Sequence, residues 1–107
     1  MSSDRELLEL AAKAVSLNAF WDDVVCRMRL VENNGKTFSY WQPLHDDGDA
    51  LRLAVKTGML YTYMHDRFEM FQRSYKEELD NDNQPSKATR RAIVRAAAEI
   101  GRKKSDV

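Results

Sequence analysis

The chain has 107 residues, 43% hydrophobic and 32% charged, with 17 basic and 17 acidic side chains that balance to a formal charge of zero. This size and composition suit one ordinary globular domain, residues 1–107, and exclude a second core; no apolar run approaches the roughly 20 residues that span a bilayer. A neutral total excludes a whole-surface field that steers nucleic acid, and the single cysteine, Cys26, excludes an internal disulfide or a cysteine-built zinc cage.

The opening MSSDRELLEL lacks the basic-then-apolar order of a secretory signal, so a reducing cytoplasm is the expected compartment. Asp4 to about Val15 is predicted to be helical, because Leu7, Leu8, Ala11 and Val15 fall on one stripe of a 3.6-residue period. Ser3 or Ser2 can cap it, and Glu6 stands at the capping-box spacing from Ser3. From Phe20 the period changes to two. Cys26, Met28 and Leu30 alternate with Arg27 and Arg29, which places Cys26 as a buried, inert thiol on the apolar face of a strand. Asn34-Gly35 is a favoured pair for a tight hairpin, since both residues tolerate positive φ. Thr37 to Trp41 reads as the returning strand, and Pro43 ends it.

Asp46, Asp47 and Asp49 open the next helix, where carboxylates accept from the free amides of the first turn. Its predicted buried stripe is Ala50, Leu51, Ala54 and Val55, and Gly58 closes it in the left-handed conformation. The region from Met59 to Leu79 fits two periods. MLYTYMH has the aromatic and threonine content of a strand, and His65-Asp66 can begin a turn into FEMFQRSY. Met64, Phe68, Phe71 and Tyr75 also share a helical stripe. A second hairpin is the favoured expectation and a helix the alternative. Asp80 to Pro85 reads as a loop. Ser86 then caps a helix from Lys87 to about Arg102 with Ile93, Ala96, Ala97 and Ile100 on its apolar face, and residues 103–107 are expected to fray. The order α-β-β-α-(β-β)-α makes an α+β domain: a small antiparallel sheet of one or two hairpins packed with three helices.

No Walker loop, nucleophile elbow or dinucleotide fingerprint occurs, and the two histidines, His45 and His65, sit in no catalytic motif. The expectation is therefore no enzyme activity and no cofactor. The acidic run His45–Asp49 reads as a helix cap rather than a metal site. Asp80–Asn83 fails as the start of a calcium loop, because the sixth position is Pro85 and the twelfth Arg91. Two candidate binding sets remain. Lys87, Arg91, Arg95 and Arg102 belong to a stretch with seven basic residues against Glu99, and can contact phosphates. A solvated face paired with Glu77, Glu78 or Asp80 is the competing reading. Aromatic residues on hairpins with arginine nearby are the composition of protein-binding surfaces, and make Tyr40, Tyr61, Tyr63 and Arg67 candidate anchors for a partner.

Three segments, DRELLELAAKA (residues 4–14), WQPLHDDGDALRLAVKTGM (41–59) and ATRRAIVRAAAEIGR (88–102), resemble a group of small proteins encoded by tailed phages and by prophages of enteric and related proteobacteria. The match covers a little under half of the chain. It departs at Gln42, where the WNPL form has asparagine, and at Val15-Ser16, where a glycine usually follows the alanines. The resemblance implies a phage origin and an α+β sandwich, and transfers no site residues. With it comes the expectation of a non-enzymatic protein that binds a host protein or complex in the bacterial cytoplasm, as an inhibitor of a host defence (anti-CRISPR-like) or of a nucleic-acid-processing complex. A nucleic-acid-binding accessory protein that uses the basic last helix is the alternative. If the matched segments build the scaffold, the partner surface falls in residues 17–40 and 60–87.

Overall fold

The computed structural model describes residues 3–105. Helix α1 (Asp4–Ala14) begins where the Ser3 hydroxyl accepts from the Glu6 amide, and Asp4, Glu6 and Lys13 complement its dipole. Ser2, the alternative cap, lies outside the described residues. Leu8, Ala11 and Ala12 are buried, with Leu7 and Val15 half-buried beside them.

The chain then turns through Ser16, at φ 53°, into a three-stranded antiparallel meander of order β1-β2-β3. Its strands are β1 (Ala19–Asp22), β2 (Arg27–Glu32) and β3 (Thr37–Trp41). The expected hairpin forms between β2 and β3, and its Asn34 and Gly35 take φ of 57° and 87°. β1 adds a strand on the other side. The tight turn that joins it to β2 overturns the expectation for Cys26, which sits in that turn at φ 55°, exposed, with its thiol donating to the Asp23 carbonyl. Alternation alone groups Cys26 with Met28; the chain reversal needed before Arg27 takes it out of the ladder. Cross-strand pairing aligns Trp21, Met28 and Trp41 on the inner face, where Met28 and Trp41 are buried.

Past Pro43, α2 (Asp47–Thr57) opens on Asp46, whose carboxylate accepts from the Asp49 amide at 2.8 Å, and closes on Gly58 at φ 75°. Both ends agree with the sequence. The buried stripe does not: it is Ala50, Leu53, Ala54 and Thr57, and Leu51 and Val55 face outward. Apolar residues wrap more of this helix than the core covers, so packing decides which are buried.

The second hairpin is also corrected. Residues 65–82 form a helix, α3 (His65–Asp82), as in the alternative expectation, but the residues of the expected stripe, Met64, Phe68, Phe71 and Tyr75, are only half-buried, and Met70 and Ser74 are the buried ones; the Phe71 and Tyr75 rings stack. This segment is rich in Glu, Lys, Arg, Gln and Met and contains no Gly or Pro, so helix propensity outweighs its aromatics. The strand-like Leu60–Tyr63 becomes the α2–α3 connection. The expected loop at 80–85 shrinks to Asn83, at φ 51°, and Gln84. Helix α4 (Pro85–Ser105) starts with Pro85 in the first helical position, where its missing N–H costs nothing, so Ser86 lies in the first turn rather than at the cap. The helix continues past Arg102: Lys103 to Ser105, expected to fray, are helical, and Lys104 donates to the Ala14 carbonyl at 3.1 Å. Residues 106 and 107 lie outside the described residues.

The described residues form an α+β fold of four α-helices and one three-stranded antiparallel sheet. α4 runs through its centre with Ala92, Val94, Ala96 and Ala97 fully buried, and packs against α1, α2 and α3. α1 in turn packs against β1 and β2. No helix among the described residues is long and apolar enough to cross a membrane.

Candidate functional site

Alternation along an antiparallel sheet sends neighbouring side chains to opposite faces. With Trp21, Met28 and Trp41 inward, the other face receives Phe20 and Asp22 from β1, Arg27 and Arg29 from β2, and Phe38 and Tyr40 from β3. Phe20 and Phe38 are 49% and 58% exposed. The Arg29 guanidinium lies 4.4 Å from the Phe38 ring centroid, and that of Arg27 lies 5.3 Å from the Tyr40 centroid. Arg29 also pairs with Asp22 at 2.7 Å, while its buried Nε has no hydrogen-bond partner among the described residues. The Phe38 ring and the Asp22 carboxylate together set the position of this guanidinium.

The other three anchors expected for a partner lie elsewhere. Tyr61 and Tyr63, in the α2–α3 connection, stack with centroids 5.5 Å apart and planes 7° from parallel, and Tyr63 is 80% exposed. Arg67, in the first turn of α3, donates to the Thr57 carbonyl at 2.6 Å and so ties that helix to the end of α2. Its role is to hold the connection rather than to reach outward. Leu60 follows the buried Met59 and lies with Ala50, Leu51 and Ile93 along a cleft of about 250 Å³. Arg90 is at the same cleft, donating to the Leu44 carbonyl and pairing with Asp47 at 2.8 Å. Sequence reasoning missed Leu51, Val55 and Leu60 as surface residues, and nothing in a helical stripe marks which of its edges stays open. It also passed over Phe20 and Phe38. The odd spacing of Phe38 from the core-bound Trp41 is the signal that places it outward.

The basic helix is largely engaged. Lys87 pairs with Asp82 at 2.7 Å, Arg95 with Glu77 at 2.6 Å, and Arg91 with Asp4 at 3.2 Å. Glu78, only 13% exposed, lies 3.3 Å from both Arg91 and Arg95. Arg102 is exposed one turn from the end. Such pairing favours the solvated, ion-paired face over a phosphate site; Glu77 and Glu78 are partners as expected, and Asp82 and Asp4 take the place expected of Asp80.

The acidic run after His45 has structural duties. Asp46 caps α2, while Asp49 accepts from the Gln42 amide and from Arg52, whose pKa is raised above its usual value chiefly by that hydrogen bond. His65, Asp66 and Glu69 are the one cluster with metal-ligand spacing among the described residues, and all three are exposed on a single helical turn, which defines no enclosed site. Cys26 and His45 both line a cleft of about 400 Å³ beside Trp21 and Trp41. No hydrogen bond joins them among the described residues, and the thiol is turned to Asp23, so no nucleophile–base pair is assembled. No family model matches the chain, and neither a curated protein nor a solved structure is significantly similar to it.

Proposed function

We infer that the chain is a non-enzymatic binding protein that captures a protein partner through the α2–α3 connection and the adjoining face of α2. The Tyr61–Tyr63 stack carries this reading. Two tyrosines ordered against each other in solvent have little left to lose in conformational entropy on docking, and aromatic anchors of this kind dominate interface energetics. The stack follows Leu60, and Leu51 and Val55 extend the apolar surface along α2. The cleft at Leu51 and Leu60 has room for one large side chain, so the partner is a protein segment that offers a leucine- or phenylalanine-sized anchor. Arg67 and the left-handed Gly58 hold the connection in place from behind.

The resemblance to small phage and prophage proteins supports a host partner inside a bacterial cytoplasm. Inhibition of a host defence, in the manner of an anti-CRISPR protein, or of a nucleic-acid-processing complex is the role that fits a small, non-catalytic chain of that origin. Capture from host lysate with the tagged chain identifies the partner, and variants then test the surface. The paired substitutions Tyr61→Ala and Tyr63→Ala are expected to weaken binding about 30-fold or more, as loss of two anchor residues does. Arg91→Ala with Arg95→Ala is expected to leave binding within a few-fold, with little dependence on salt. Loss confined to the arginine variants, with steep salt dependence, would instead favour the nucleic-acid-binding accessory protein.

A further inference from the structure

The outer face of the sheet is a second surface, built from other residues than the α2–α3 connection. Two strands present flat rings there: Phe20 on β1, Phe38 and Tyr40 on β3. Between them β2 contributes Arg27 and Arg29, each guanidinium lying over a ring. Asp22 is the acid placed on this face by the register, and it is already neutralised by Arg29. Lys36, exposed, stands at the tip of the β2–β3 hairpin. From residue 19 to residue 45 three basic side chains, Arg27, Arg29 and Lys36, meet three acidic ones, Asp22, Asp23 and Glu32; the register turns Glu32 to the inner face, and Asp23 lies in the β1–β2 turn, paired with Arg5. A face of exposed rings carrying local positive charge thus occurs in a chain whose total charge is zero.

We propose that this outer face, with Phe20 and Phe38 as stacking platforms and Arg27 and Lys36 as phosphate contacts, binds single-stranded nucleic acid. Bases released from a duplex offer π-faces that stack on aromatic rings and on planar guanidinium groups, and the backbone between them is a polyanion. Both halves of that chemistry are present here, side by side on adjacent strands. The Arg29 plane, fixed between Phe38 and Asp22, is a third stacking surface held in advance of any ligand. A duplex keeps its base faces occupied and cannot use the rings. A second copy of the chain would bring two faces of the same charge together.

Fluorescence anisotropy with fluorescein-labelled oligothymidylate and oligouridylate of about 12 nucleotides, a length suited to one such face, and with a duplex of the same length, decides the matter. The single strands are expected to bind at least tenfold more tightly than the duplex. Phe38→Ala and Phe20→Ala, which alter exposed side chains and are expected to shift the melting temperature by no more than a few degrees, are each expected to weaken binding about 5- to 100-fold. The two phosphate contacts give a slope of about −1.4 in log K against log salt. Tyr61→Ala with Tyr63→Ala is expected to leave oligonucleotide binding unchanged, which separates this site from the protein-docking patch. No single-strand binding at about 100 μM protein, the weak end of non-specific affinity, overturns the proposal. So does binding that survives both phenylalanine substitutions, or that is equal for duplex and single strand. Self-association or binding of an acidic polypeptide that is lost with Phe38→Ala, without oligonucleotide binding, assigns the face to another occupant and overturns it as well.

Discussion

Asp46 and Asp47 carry the same side chain one position apart and do different work. Asp46 keeps extended backbone angles, φ −114° and ψ 119°, so its carboxylate folds back onto the Asp49 amide. Asp47 is already helical, and its 82%-exposed carboxylate meets Arg90. Asp46→Ala is therefore expected to cost about 0.5–2 kcal/mol in chemical denaturation, the usual loss of an N-cap. Asp47→Ala, which removes an exposed pair, is expected to cost less than about 1 kcal/mol. Equal costs, or the reverse order, would mean that the cap is misassigned. The sequence announced a cap here but not its register, because three aspartates offer the same acceptor and only the turn after Pro43 decides which one stays outside the helix. Cys26 was illegible for a related reason. Its neighbours alternate as a strand does, and the positive φ that removes it from the ladder is a property of the turn rather than of the residue type. Tyr40 was more legible, since its phase relative to Trp41 is fixed by the pleat alone; Phe38 carries the same signal and was passed over.

Among the elements, α1, the β2–β3 hairpin and the core of α4 were readable because period and end signals agree there, and α2 was readable at its two ends, though not in its buried stripe. α3 was not. Its apolar stripe is thin, with Met70 and Ser74 as its buried residues, so the aromatics of Tyr61 and Tyr63 just before it carried undue weight toward a strand. What holds α3 to α4 along its polar side is Glu78, which lies between Arg91 and Arg95 in a position largely shielded from water. Glu78→Ala leaves two guanidinium groups facing each other without their shared acceptor. The expected cost is on the order of 1–2 kcal/mol, between the limits for exposed and buried pairs. Glu77→Ala removes a half-exposed partner of Arg95 alone and is expected to cost less. Thermal denaturation of the two variants side by side tests this order. A Glu78→Ala protein as stable as the parent would free the basic helix from its structural duty and return it to consideration as a phosphate site.

At the scale of the whole molecule, the first and last helices are joined, and Gly101 makes the joint. A Cβ at this position would collide with the Leu10 carbonyl oxygen of α1, which is backbone and cannot swing aside. Ala11 and Ala12 on one helix and Ala97 and Ala98 on the other, all buried, keep the same seam narrow. Lys104 then ties the end of α4 to the Ala14 carbonyl at the close of α1. The sheet depends on this seam as well, because α1 packs against both α4 and the strands. Gly101→Ala must push α1 away from α4 and disturb the sheet and the helices together. The expected cost is at or beyond the upper end of the about 1–3 kcal/mol typical of overpacking. In a domain of this size that lowers the melting temperature by more than about 10 °C in a single cooperative transition. Gly48→Ala is the control. Its Cβ would meet the flexible end of Arg52 and, at 3.2 Å, the capping oxygen of Asp46, so a small shift of the cap offsets part of the about 0.5–1 kcal/mol of backbone entropy that replacing a helical glycine recovers. That variant is expected to melt near the parent temperature. If Gly101→Ala does the same, the two helices are free to separate, and the close crossing of α1 and α4 is not what unites the fold.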